Sequence, residues 1–402
     1  MSFKKQQLLV LIRCCICLGC SIGITANCFG LFYTPMSEAL GVGRRQVAMI
    51  ITFRGLAQAF AAPRAAKLLR KVPVSAVLTA GVLLSAGSVL IMAFSSNLDV
   101  LYAAGILLGC GMCCCSTLPI SMIIRNWYGE NNAAKLGIAM GCTGIFAAVF
   151  NVILGAVITA RGYREGFITM AAVVLAFCLP CSLTVRLRED TGNAPAGKRP
   201  AASSGKGTAA AAAASGVFLF LLTGVFMGMQ TGLNTHMSSI IVSAGYTLQF
   251  SAMALSCHSI CNSLLKVVFG YTAERLGAVK TGMIYESLAC LGYLLILLCS
   301  GTPFLLVAGV SLFSAVFSYN TVGVPTLMQH VYGDAYLDHY AKVTLTVSLV
   351  YAGMNTIYGG LFDATGGYLP QLSMAACAAF ANVILVLLIS RRVQGAQSGQ
   401  GE

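Results

Sequence analysis

Residues 41–50, GVGRRQVAMI, return as residues 245–254, GYTLQFSAMA, with Gly41 answered by Gly245 and Ala48-Met49 by Ala252-Met253. The same offset of 204 residues pairs Ala66 with Gly270, Tyr128-Gly129-Glu130 with Tyr332-Gly333-Asp334, and Met170-Ala171 with Met374-Ala375. Landmarks in one common register point to two copies of a unit of about six apolar segments. Parallel repeats of that size in an apolar chain are the pattern of a transporter that rocks two halves around a central site.

Composition agrees with this reading. Of the 402 residues 57% are hydrophobic and 9% charged, and the mean hydropathy is +0.83; soluble domains carry about 25% charged residues. Apolar runs long enough to span a bilayer predict twelve helices near 8–34, 46–69, 73–94, 98–124, 133–159, 165–187, 216–241, 247–271, 279–299, 303–329, 340–362 and 367–390. The expected fold is therefore an all-α membrane protein with twelve transmembrane helices in two pseudo-symmetric six-helix bundles. The bundles are 1–190 and 216–402, joined by a cytoplasmic linker at 191–215, TGNAPAGKRPAASSGKGTAAAAAAS, which lacks large apolar side chains.

Basic residues orient the chain. With a cytoplasmic N-terminus, the 25 Lys and Arg lie at the inner face except Arg44, Arg45, Arg161 and Arg164 outside, and Arg54 and Lys266 within spans. That bias predicts a multi-pass protein of the plasma membrane with both termini cytoplasmic. The net charge of +13 then faces anionic membrane lipid and calls for no nucleic-acid partner. Lys4 and Lys5 precede an apolar run too long for a signal peptide, so the first helix is expected to remain.

Seventeen cysteines include CxxC spacings at Cys17/Cys20, Cys110/Cys113 and Cys178/Cys181, all within apolar spans. Without a second pair or a His partner these read as small buried hydrophobes, not metal ligands. No nucleophile-base pair, phosphate loop or dinucleotide motif is present, so neither an enzyme, an ATP-driven pump nor a cofactor is expected. Gly19-Gly23, Gly105-Gly109, Gly137-Gly141 and Gly224-Gly228-Gly232 have the small-xxx-small spacing of close helix packing.

The loops carry a family resemblance. Gly270-Tyr-Thr-Ala-Glu274-Arg275-Leu-Gly277-Ala-Val-Lys280 resembles the motif between paired helices of the major facilitator superfamily, with Gly270, Glu274, Arg275, Gly277 and Lys280 as its conformational residues. Its first-half counterpart, Ala66 to Lys71, has lost the glycine and the acid. Arg125-Asn-Trp127-Tyr128, Gly137-Ile-Ala-Met-Gly141 and Gly162-Tyr163-Arg164, with Tyr33-x-Pro35, resemble landmarks of the oxalate:formate antiporter and monocarboxylate transporter branch. The resemblance implies that helices 1, 7, 8 and 11 line the pathway and that the ninth helix is peripheral.

Intramembrane charge suggests the substrate. A basic residue at mid-helix costs roughly 2.5–3.5 kcal/mol on insertion scales and is expected to face a cavity or a partner. Lys266 stands four residues before Gly270, where the resemblance implies an Arg that binds the substrate's carboxylate. Its other reading is a lysine snorkelling to the inner interface. His258, Asn262 and Lys266 share one face of the eighth helix. Arg54 aligns with His258 across the repeat, as a substrate contact or as a clamp on backbone carbonyls. Tyr351 and Asn355, with Thr344, Ser348 and Tyr358, step along the eleventh helix; Gln230 and Asn234 share a face of the seventh, with His236 near its end.

Glu286, the one acid within a span, is expected to be neutralised by a partner in the bundle. Asn262 stands where the proton-coupled monocarboxylate carriers place an acid, which leaves anion exchange, or proton coupling through His258 or His236. The sequence thus predicts a secondary transporter, expected to be monomeric, of a small organic anion, a mono- or dicarboxylate. It would work by alternating access as an antiporter with a counter-anion or a proton-coupled symporter. An exporter of drug-like or sugar substrates and a membrane anion sensor are the alternatives.

Overall fold

The computed structural model describes residues 3–69, 71–129, 133–187, 208–332 and 336–398. Helices fill these residues, and no strand occurs among them. Among the described residues, ten helical spans are long and apolar enough to cross a membrane. We number these with the two long helices that interleave them: α1 Phe3–Leu40, α2 Arg44–Leu68, α3 Val74–Phe94, α4 Leu98–Tyr128, α5 Ala133–Arg161, α6 Tyr163–Thr184, α7 Val217–Ser243, α8 Leu248–Leu276, α9 Ala278–Leu298, α10 Pro303–Gln329, α11 Tyr336–Thr365 and α12 Leu369–Ser398. The order is that of the twelve predicted helices. α2 and α11, at 25 and 30 residues, are long enough to cross but fall short in hydropathy. They carry Arg54 and Gln58, and Tyr351, Asn355 and Tyr358, so polar side chains dilute the apolar signal there.

The repeat has a physical basis in the turns. Gly41 and its counterpart Gly245 both adopt positive φ, 63° and 95°, at the ends of α1 and α7. Gly162 and Gly366 stand at the same offset and are also left-handed, at 89° and 71°. A residue with a Cβ is strained in that region, so the turn after each matched helix keeps its glycine. Of the predicted linker, residues 191–207 lie outside the described residues, and its alanine run is helical from Thr208.

The chain divides into two compact units. The first comprises Met1–Ala194, Thr235–Ser263 and Asn355–Gly366. In it, a Cβ on Gly105 of α4 would lie 2.6 Å from the Ile50 carbonyl of α2, and one on Gly109 would collide with the Arg54 carbonyl. Gly23 of α1 meets the Thr143 carbonyl of α5 at 2.5 Å in the same way. The second unit comprises Pro195–Asn234, Leu264–Met354 and Gly367–Glu402. Here a Cβ on Gly228 of α7 would lie 2.6 Å from the Val350 side chain of α11, and one on Gly292 of α9 would lie 2.8 Å from the Gly309 carbonyl of α10. Gly137 and Gly141, also spaced for packing, have open space where a Cβ would stand. Helices α1, α6 and α10 each contain a π segment, Gly19–Ile24, Val174–Cys178 and Tyr319–Gly323, a local widening common at functional positions.

Candidate functional site

α8 runs through both units and shows how its sequence sorts side chains. Met253, Ile260, Leu264 and Val267 are 50–61% exposed and form an apolar face. Ser256 donates to the Ala148 carbonyl of α5 at 2.6 Å, and Ser263 to the Gly141 carbonyl at 3.2 Å. His258, Asn262 and Lys266 occupy the remaining sector, away from the apolar face. His258 is buried, and Asn262 and Lys266 are half-buried. Lys266 makes no hydrogen bond or ion pair among the described residues. Arg54 of α2 is buried, at 5% exposure, in the first unit.

Asn355 anchors a polar junction within the first unit. Its side-chain oxygen accepts from the Tyr33 hydroxyl at 3.5 Å and from the Thr235 hydroxyl, and its backbone carbonyl accepts from His236 Nε2 at 3.0 Å. The His236 ring meets Tyr33 edge-on at 4.9 Å and Tyr358 at 6.2 Å. Thr34 bonds Ser239 at 2.9 Å, and Thr52 bonds Thr356 at 2.8 Å. Farther along α11, the Asp363 carboxylate accepts from the backbone N–H groups of Arg44 and Arg45 at 2.8 and 2.9 Å. It caps the N-terminus of α2, where unpaired N–H groups and the helix dipole favour an anion. The Arg44 guanidinium lies 3.6 Å from the centre of the Phe362 ring, a cation–π contact.

The polar face of α11 changes along its length. Thr344 is exposed, Ser348 and Tyr351 are half-buried, and Asn355 and Tyr358 are fully buried. Of the other candidates, Asn234 is half-buried, whereas Gln230 is fully buried. Gln230 Nε2 donates to Glu286 Oε2 at 3.2 Å, and Asn382 Nδ2 of α12 donates to Oε1 at 3.3 Å. Glu286 is thus paired, as expected, but with neutral amides in place of a cation. Sequence reasoning passed over Thr235, Asn382 and Asp363; the only available signal was the polar residue itself in or beside an apolar run.

The motif residues sit at the α8–α9 turn, with Glu274, Arg275 and Lys280 exposed. Gly277 holds φ 85° there and caps α8 through its N–H on the Ala273 carbonyl at 3.0 Å. The other landmarks prove to be clasps. Trp127 donates to the Arg186 carbonyl at 2.9 Å, Tyr128 to the Gln7 carbonyl at 2.8 Å, and Gln7 returns a bond to the Trp127 carbonyl at 2.8 Å, fastening the end of α4 to α1 and to the chain after α6. Arg164 reaches Ser96, before α4, at 2.7 Å. All seventeen cysteines are free thiols. Among the described residues no three His, Cys, Asp or Glu side chains are grouped to hold a metal.

Apolar helical spans that carry charged and amide side chains define a multi-pass membrane protein of the class of small-molecule transporters. The chain belongs to the Major Facilitator Superfamily, whose profile matches residues 15–360. It is 24% identical over 353 residues to Monocarboxylate transporter 12-B of Danio rerio, covering 78% of this chain and 72% of that relative. Solved structures share the fold. A bacterial homolog of the human lysosomal transporter Spinster, inward-facing and occupied, superimposes with a TM-score of 0.69 at 14% identity, covering 98% of this chain and 97% of the other. The nucleoside transporter NupG superimposes with a TM-score of 0.72 at 15% identity, covering 96% and 99%.

Proposed function

We propose that this transporter carries a small organic anion, a mono- or dicarboxylate, by alternating access, with Lys266 supplying the substrate's counter-charge. The carrying observation is Lys266 itself: a half-buried ammonium within a span, away from the apolar face of α8 and with no partner among the described residues. A cation within a span and with no counter-charge among the described residues attracts carboxylates and repels cations. In the second unit, Tyr351 and Asn234 are the polar groups assigned with Lys266 to orient the anion. In the first unit, taken by itself, His258, Asn262 and Arg54 are the residues assigned to contact the substrate, Arg54 with a positive charge. The relative named as a monocarboxylate transporter supports the substrate class. The same reading keeps the two-bundle division at 191–215, the plasma membrane and cytoplasmic termini, and exchange against a counter-anion or symport with a proton as modes of coupling.

The test is uptake of a panel of labelled mono- and dicarboxylates into proteoliposomes, with and without an internal carboxylate. Saturable uptake accelerated by internal carboxylate is the expected result and identifies exchange. Acceleration by an inward proton gradient identifies symport. Uptake no greater than in protein-free liposomes across the panel rejects the anion assignment.

A further inference from the structure

We propose that Glu286 is a proton-binding site of the second unit, with Gln230 and Asn382 as the partners that hold it in both charge states. The proposal rests on the transport reading only for its part in coupling; the site can be tested without any substrate.

Glu286 is fully buried in α9 and meets amides from two other helices and, among the described residues, no cation. Each carboxyl oxygen takes one amide N–H, from Gln230 of α7 and from Asn382 of α12, at 3.2 and 3.3 Å. Both distances lie at the long end for such bonds. The far sides of the same amides are incomplete: Gln230 Oε1 and Asn382 Oδ1 are buried with no hydrogen-bond partner among the described residues. Buried acceptors left in this way call for a physical account.

The donor and acceptor inventory supplies one. A carboxylate only accepts, whereas a protonated carboxyl also donates one O–H and needs an acceptor. Half a turn of either side-chain amide about its terminal torsion presents an oxygen to Glu286 and moves the NH2 to the other side. One amide rotation therefore converts the pocket from a host for the carboxylate into a host for the acid. No buried cation has to be created or moved.

Among the described residues no charged side chain bonds Glu286; α8, which Tyr285 meets at Leu265, carries Lys266 next along the chain. The titratable neighbours on α9 are Tyr285, which donates to the Leu265 carbonyl at 2.8 Å, Cys290 and Tyr293, whose hydroxyl reaches the Gln230 carbonyl at 3.5 Å. α10 brings Tyr319, its ring against Gly282 one turn before Glu286 and its buried hydroxyl without a partner. Tyr332 follows α10, and α12 brings Cys377. The one titratable residue of the described part of α7, His236, belongs to the first unit and bonds the Asn355 carbonyl, and Lys280 lies exposed at the start of α9.

Infrared difference spectra of the full chain in liposomes, titrated from acidic to alkaline buffer, test the assignment. Beside the bands of the exposed carboxyls, the wild type is expected to show one further protonated-carboxyl band that disappears on titration and is wholly lost in Glu286→Gln. Absence of the band in the wild type, or its persistence in Glu286→Gln, overturns the proposal. If Glu286→Gln does not fold, Glu286→Asp replaces it: a displaced band supports the site, and an identical band overturns it. At fixed pH, exchanging choline for sodium should leave the band unchanged. Its loss on adding sodium makes this a sodium site and equally overturns the proton assignment.

Discussion

The Asn355 junction of the first unit and the Glu286 junction of the second are both fully buried, yet they use their hydrogen-bonding capacity differently. Asn355 takes two hydroxyl donors on one oxygen and a histidine on its backbone carbonyl, and Asp363 two turns on spends both oxygens on α2. Around Glu286 two amide oxygens remain without partners, and Lys266 in the same unit has none among the described residues. A completed polar network rigidifies, and an incomplete one retains affinity for whatever completes it. The first junction thus reads as a fastening and the second unit's polar groups as places for a ligand.

The largest expected effect falls on the unfinished side. Lys266→Gln keeps the length and removes the charge. Removing one partner of a buried pair costs about 3–5 kcal/mol; solvent screening of a half-buried group reduces this, leaving about one to two decades of affinity for a carboxylate substrate. Transport assays across substrate concentration should show that loss with no change in Tm. A falling Tm with unaltered affinity would make Lys266 structural and erase the contrast.

On the fastened side, Gly359 is the sharpest probe. Its added Cβ would stand 2.7 Å from Arg45 Cα and 2.8 Å from Arg45 N, both main-chain atoms that cannot swing aside. Gly359→Val is expected to cost about 1–3 kcal/mol by overpacking, read as a lower Tm in detergent. An unchanged Tm would show that the α2–α11 contact contributes little. Asp363→Ala should cost less, about 1 kcal/mol, the usual loss for a helix cap. Asp363→Asn, which retains an acceptor, should recover most of it in the same melting experiment.

The division between what could and could not be read from the sequence follows the range of the interactions. Helices, their order and the duplicated register depend on residues near one another, so α8's polar sector and the close glycines at Gly105 and Gly109 were legible. Spacing alone misled at Gly137 and Gly141, because it marks a surface that permits close approach without naming a neighbour. Hydropathy understated α2 and α11, where polar side chains replace apolar ones. The Asn355 junction joins Tyr33 across 322 positions and Thr235 across 120. No local pattern encodes such a pairing, and Gln230's commitment to Glu286 was equally hidden by its even spacing with Asn234.

The smallest expected effect separates resemblance from packing at Gly270. Family likeness marks this glycine as conformational, yet nothing lies within 4 Å of the Cβ it lacks and its φ is not in the left-handed region. Alanine is the better helix former by about 0.8–1 kcal/mol in a helix interior. Gly270→Ala should therefore leave Tm unchanged or raise it slightly, the opposite of Gly359→Val. Transport by Gly270→Ala then decides what the glycine is for. Normal rates would show that the open space is ordinary surface. A slower rate in a protein of undiminished Tm would mean that another helix occupies this position in a different conformation, because a methyl group harmless here can obstruct only a contact formed elsewhere in the cycle.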